Sequence, residues 1–255
     1  MNNTMKNFIK NSFTVVEANK IKKLIEVKKA IYAFSCKELS LNKIPIDNFY
    51  NNFHKLKINK IRLNKYRLKL LKFLTSNKNI KKNIYNTYHQ ALHEILGPDV
   101  SIQKSLNVVI HQPNNMEISP LHRDAPENSP YEVVLWVPLV DCYNTKSLYL
   151  LDKKNTDKNL KYLDNKNQKT NNHLNKILKT KGKLPKIKFG QAIIFWAGLL
   201  HAVPKNLENE TRWTFNIRLK NLFSPYGRKG FLDYHEILQK SHLTKLGLEF
   251  EKKKY

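Results

Sequence analysis

A helical first part, a run of short β-rich segments after it and a polar break inside that run predict an α+β protein. The expected architecture is a jelly-roll barrel of two antiparallel sheets with N-terminal helices packed outside. The helical part covers residues 1–97 and the strands fill 98–222. A Lys/Asn-rich insertion interrupts the strands at about 152–189, and residues 223–255 form a C-terminal extension. At 255 residues the chain is read as one domain, long enough to bury a sizeable core.

Three periodic stretches carry the helices. In residues 16–39, Ile21, Leu24, Ile25, Ala30 and Ile31 recur at roughly helical spacing. Residues 60–74 repeat the pattern. Residues 83–97 make a third helix, stopped by Gly97 and Pro98. Beyond Gly97 the period drops to two and β-branched residues take over. Residues 105–112, 131–140, 147–151, 191–203 and 212–220 read as strands. The insertion holds at most one short helix, and a long polar insertion between strands reads as a lid or a mobile loop.

Composition narrows the function classes. The two cysteines, Cys36 and Cys142, form no CxxC and no zinc spacing with histidine, which argues against a disulfide framework and points to a reducing cytoplasm. The N-terminus lacks the apolar core of a signal peptide. The longest apolar run, residues 192–200, is too short to span a bilayer. The formal net charge of +26 comes from 40 Lys and only six Arg. Nucleic-acid surfaces that read sequence lean on Arg for bidentate contacts, so this charge reads as compositional drift rather than a nucleic-acid footprint. It favours an anionic substrate or partner all the same.

The chemistry concentrates in the segment SPLHRDAPENSP, residues 119–130. On extended backbone His122 and Asp124 point to one face and Arg123 to the other, so one metal ion can touch both. A lone His-x-Asp needs a third ligand. His201, at the end of an apolar strand, is the candidate, against the plain reading of a buried, satisfied histidine. Two histidines and one carboxylate with positions left open suit non-haem Fe(II) and oxygen activation. His89 and His93, four apart on one helix, read instead as a partly buried structural pair.

The strand RWTFNIR, residues 212–218, alternates cleanly. Arg212, Thr214, Asn216 and Arg218 share one face; Trp213, Phe215 and Ile217 share the other, expected to pack on the N-terminal helices. A buried arginine needs an anionic partner, and a carboxylate fits its planar fork with the Thr214 hydroxyl as a second donor. A solvent-facing edge strand is the competing reading.

His122-x-Asp124, His201 and Arg212-Trp213-Thr214 together resemble the motif set of the Fe(II)/2-oxoglutarate-dependent oxygenases. The blocks LNVVIHQPNN, SPLHRD, SPYEVVLWVPLVDCYNTKSLYLL and NETRWTFNIRLKNLFSPYG resemble more narrowly the oxygenases of sporadic bacterial carbohydrate-biosynthesis clusters, relatives of phytanoyl-CoA hydroxylase. The likeness runs from about Leu96 to the C-terminus. It implies a double-stranded β-helix, a cupin-like barrel, with iron on His122, Asp124 and His201. It implies 2-oxoglutarate anchored by Arg212 and Thr214, O2 as co-substrate, and Arg218 reaching the C1 end of 2-oxoglutarate or the substrate. The Asp124 carboxylate argues against a halogenase, which needs that position empty. Two departures, Ala202 where glycine is usual and Thr214 where serine is usual, leave the ligands intact.

The resemblance further implies a carbohydrate or phosphorylated-sugar substrate, hydroxylated in surface-carbohydrate biosynthesis. Asn107, Gln112, Tyr131, Ser147 and Asn216 are candidate pocket donors, with strand-end caps the plainer reading of Asn107 and Gln112. Trp136 reads as core. The rivals are a cupin-like metal-dependent sugar-binding or isomerase module and a nucleic-acid or protein hydroxylase of the same superfamily. The HRD string lacks the glycine-rich loop and DFG of a kinase.

Overall fold

The protein's structure, a computed structural model, describes residues 3–42, 44–115, 119–125, 127–163 and 168–254. The helical part comprises α1 (Asn3–Asn11), α2 (Ile21–Leu39), α3 (Ile46–Asn51), α4 (Lys60–Ser76), α5 (Lys78–Thr87) and α6 (His89–Leu96). One strand interrupts it, β1 (Phe13–Glu17). The sheets follow: β2 (Val100–Gln103), β3 (Asn107–His111), β4 (Ser119–His122), β5 (Glu132–Pro138) and β6 (Tyr149–Leu150). After α7 (Lys153–Asn159) and α8 (Gln168–Lys181) come β7 (Gln191–Trp196), β8 (His201–Val203), β9 (Arg212–Asn221), β10 (His235–Gln239) and α9 (His242–Lys254).

The strands form two antiparallel sheets. The large sheet runs β1-β7-β5-β9-β2-β10, with β3 also on β9; the small sheet runs β4-β8-β6. The long strand β9 is the spine. It pairs along one edge with β5, from Glu132 opposite Lys220 to Pro138 opposite Thr214. Along the other edge it takes β2 at one end and β3 at the other. Every residue of β5 is buried, as a central strand covered on both faces must be.

One face of the large sheet carries the helices. Trp213 lies among Phe49, Tyr50 and Phe53 of the α3 region, with ring centroids 5.7, 5.2 and 5.0 Å away. Phe215 and Ile217 are fully buried on the same side. A single apolar cluster runs from Leu24 and Leu70 in the helices to Val134 and Ile217 in the sheet. The packing expected for the apolar face of residues 212–218 is what the structure has.

Four expectations need correction. The helical run expected from residue 16 begins only at Ile21, because Phe13–Glu17 pairs with β7 as an edge strand. Thr14 and Val16 turn inward and Val15 and Glu17 outward, the two-residue period of a strand. The helix expected over 83–97 breaks at Tyr88, whose backbone leaves helical geometry (φ −120°, ψ 20°) while its ring is fully buried.

The strand expected over 191–203 is two strands in different sheets, joined by a turn at Ala197–Leu200. Gly198 lies flat on the Trp196 ring: an added Cβ would stand 2.4 Å from two ring carbons. The insertion holds two helices rather than at most one short one. The Asp152 carboxylate accepts from Asn155 N (2.8 Å) to start α7, and Leu174 of α8 is buried; residues 164–167 lie outside the described residues. The insertion closes at its base, where Leu150 and Lys183 exchange two backbone hydrogen bonds of 3.0 Å. No helix among the described residues is long and apolar enough to cross a membrane, and Cys36 and Cys142 are both free thiols.

Candidate metal centre

The switch of sheets at Ala197–Leu200 builds the site. It drops β8 onto β4, where His201 is the cross-strand partner of His122. The two imidazole centroids stand 4.2 Å apart. Asp124 follows His122 round a tight turn, and the backbone amides of Asp124 and Ala125 both donate to Ala197 O, at 3.0 and 3.1 Å. One carbonyl in the His201 turn therefore fixes the loop that carries the carboxylate. Potential ligand atoms of His122, Asp124 and His201 all lie within 4.8 Å of one another. Among the described residues no other group of three His, Cys, Asp or Glu is so placed.

The hydrogen bonds select the tautomers. His201 Nδ1 is 2.9 Å from Leu199 O and His122 Nδ1 is 2.7 Å from Pro120 O. A carbonyl only accepts, so both Nδ1 atoms carry the proton and both Nε2 atoms present lone pairs. Burial pushes His201 down to about 4, reinforced by the neighbouring His122. The ring is therefore neutral near pH 7, the form that binds a metal. Asp124 divides its two oxygens. Oδ2 accepts from Arg218 Nη2 at 2.9 Å, and Oδ1 lies 3.9 Å from His122 Nε2. Burial works against the Arg218 charge, but Asp124, Tyr234 and Glu132 together outweigh it and hold the guanidinium above its ordinary value.

Opposite the triad, the inner face of the large sheet closes a cavity of about 260 Å³. Arg212, Thr214, Asn216 and Arg218 line it together, as their alternation predicts. Arg212 is 1% exposed and its Nη1 donates to Ser147 O at 2.9 Å. Its Nε has no partner, and no carboxylate pairs with it among the described residues. Burial drops its pKa to about 10. The fully buried Thr214 hydroxyl also lacks a partner. A buried cation and a buried hydroxyl left open on one cavity wall have the chemistry to receive an anion with two oxygens.

The other expected pocket donors divide. Asn216 lines the cavity, and its Oδ1 is unpartnered. Asn107, Gln112, Tyr131 and Ser147 do not line it. Asn107 is exposed at the start of β3, and Gln112 borders a separate groove with Ile58 and Leu63. Tyr131 is 56% exposed. Ser147 works from behind the wall: its Oγ donates to Pro185 O (2.7 Å) and its carbonyl holds Arg212. His89 and His93 are both exposed rather than partly buried.

His111 and Trp136 are lining residues that the sequence reading did not place there. His111 is the register partner of Arg212, and Trp136 of Asn216. The signal was the shared two-residue period, but it becomes usable only once the register is known.

The fold is shared with solved structures, among them a non-heme monooxygenase. The chain superposes on a non-heme monooxygenase, the ThoJ-Ni complex, with a TM-score of 0.59 and 13% identity over 95% of this chain and 86% of that one. The apo form of ThoJ gives 0.58 and 13%, over 94% and 84%. EvdMO1 gives 0.54 and 14%, over 86% of this chain and 49% of that one. The jelly-roll architecture with helices outside is thereby shown. No family model matches the sequence, and no curated protein matches it.

Proposed function

We propose that the protein is an Fe(II)/2-oxoglutarate-dependent dioxygenase acting on a small molecule, a carbohydrate or phosphorylated-sugar intermediate. One observation carries the reading. The cavity that holds the His122, Asp124 and His201 cluster also holds a buried Arg212 and Thr214 with open donors and, among the described residues, no carboxylate paired with them. A sugar-binding or isomerase module has no use for that second feature.

The residues present fit both groups. His122 Nε2, His201 Nε2 and Asp124 Oδ1 would hold the metal, and Arg212 with Thr214 would hold the C5 carboxylate of 2-oxoglutarate. Bound together, iron, 2-oxoglutarate and O2 supply the oxidising power to take hydrogen from an unactivated C–H bond, with release of CO2 and succinate. The chain's own part is positional. Leu199 and Pro120 orient the imidazoles. Arg218 occupies Asp124 Oδ2, so the carboxylate offers its other oxygen. Phe195, 5.1 Å from the His201 ring, and Val134 and Trp136 keep that side of the cavity apolar and limit water. The joint apolar core of helices and sheet supports taking the chain as one catalytic domain.

The test is an anaerobic titration of apoprotein with Fe(II) and then 2-oxoglutarate, read by the weak visible charge-transfer band of the chelate. Wild type should show the band, and Asp124→Ala and Arg212→Ala should weaken or lose it. Equal iron binding by all three proteins with no band in any would refute the oxygenase reading and leave the cupin-like module.

A further inference from the structure

The C-terminal extension carries a surface that the metal centre does not explain. Of the fourteen large hydrophobic residues exposed among the described ones, seven lie between Phe223 and Phe250. Four of them, Leu243, Leu246, Leu248 and Phe250, lie on α9, and Phe223 and Ile237 border it. Its Thr244 and Leu248 side borders a groove with Phe223, Phe231 and Ile237, yet none of its described side chains is buried. At 100° per residue Leu243, Leu246 and Phe250 share the outward face, with exposures of 79%, 48% and 61%. Lys245 and Lys252 fall on the opposite side, and Glu249, three residues from Leu246, borders the apolar face. A 13-residue helix with so little packing is marginal in water.

Charge decides between the surfaces that could cover it. A second copy would bring the same +26 to the contact and be repelled. An anionic bilayer supplies an apolar layer for Leu243 and Leu246 and a negative potential for the surrounding cations. From residue 222 onward Arg228, Lys229, Lys240, Lys245, Lys252, Lys253 and Lys254 stand against Asp233, Glu236, Glu249 and Glu251. Glu236 is already held by Lys81 at 2.6 Å. Lys245 and Lys252 lie on the polar face, where an interfacial helix keeps its solvated charges. We propose that α9, with Leu243 and Leu246 leading, docks the protein peripherally on an anionic lipid bilayer.

The experiment is cosedimentation of the full chain with two kinds of vesicle. One is phosphatidylcholine alone; the other adds phosphatidylglycerol at about one part in four. Binding is expected to the anionic vesicles and at least tenfold less to the neutral ones. Leu243→Asp/Leu246→Asp should weaken it about a hundredfold, the loss of two apolar side chains from the bilayer. The helical signal by circular dichroism and the Fe(II)/2-oxoglutarate band should be unchanged in that variant, which separates this proposal from the catalytic one. Three outcomes would overturn it. The first is undiminished binding by the double variant, meaning charge alone. The second is no binding by wild type. The third is a dimer, seen by light scattering, that the same two substitutions abolish.

Discussion

Replacing Arg212 by methionine should make the protein more stable and blind to 2-oxoglutarate. The side chain is 1% exposed, has one hydrogen bond to Ser147 O and faces no carboxylate among the described residues. Burial lowers its pKa from 12.5 to about 10. The charged form is thus penalised in the folded state throughout the range below about pH 10, neutral pH included. At roughly 1.4 kcal/mol per pH unit the penalty is about 3 kcal/mol.

Methionine keeps the unbranched stem and removes the charge. Against that gain stands the lost hydrogen bond to Ser147 O, about 1 kcal/mol. The net expectation is a stabilisation of about 2 kcal/mol, which for a chain of this size raises Tm by about 4–8 °C. Differential scanning fluorimetry with and without 2-oxoglutarate, Mn(II) standing in for iron, reads both effects. Wild type should gain about 3 kcal/mol at a hundredfold excess of ligand over its Kd, and Arg212→Met should gain nothing. A variant destabilised by 2 kcal/mol or more would mean that Arg212 is a structural residue already satisfied. A variant still stabilised by 2-oxoglutarate would put the carboxylate elsewhere.

Other substitutions probe the frame around the site. Gly198→Ala forces a methyl to within 2.4 Å of a Trp196 ring whose Nε1 is tied to Pro130 O at 2.6 Å. It should cost about 1–3 kcal/mol in urea unfolding and weaken metal binding by calorimetry, because the same turn sets His201. Trp213→Ala should cost about 3–5 kcal/mol and expose the helical part to limited proteolysis first. His235 is fully buried beside Glu132 (3.5 Å), and burial pushes its pKa down to about 4. The unfolded chain therefore binds this proton more readily, so stability falls as pH drops from about 6.5 towards 4. Glu132, raised above the usual carboxylate range by burial, works in the opposite sense. The measurement is thus the difference in Tm against pH between wild type and His235→Gln, whose acid-side slope should be shallower.

Residues 212–218 were fully legible in the sequence. A two-residue period separates polar from apolar there without ambiguity, and both faces do what that separation demands. The triad was legible as a set of residues but not in its geometry: β4 ends at His122, and Asp124 lies beyond it at a bend held by Ala197 O rather than on extended backbone. What stayed hidden depends on contacts distant in sequence. Phe13–Glu17 is a strand only because β7 has an open edge beside it. The run from Gln191 to Val203 reads as one strand until Gly198 and Trp196 are seen to turn it from one sheet to the other. Tyr131 and Ser147 have suitable chemistry, yet neither lines the cavity, while the register of β3 and β5 on β9 brings in His111 and Trp136 instead. The charge pattern of the insertion masked α8, because a single buried leucine with two half-buried neighbours is a weak signal among so many lysines.

The paired hydrogen bonds between Leu150 and Lys183 make the insertion a cassette closed at its base. Everything between those residues enters and leaves the small sheet at one point. Changing its length alters the entropy of closing a loop only logarithmically. Thr156, whose hydroxyl accepts the Leu200 amide at 3.2 Å, ties α7 to the turn that sets His201. Beyond Asn159, α8 packs against β4, the strand that carries His122, and buries Leu174. Exchange of the cassette would thus be felt at the His122, Asp124 and His201 cluster, through Thr156 on one side and α8 on the other.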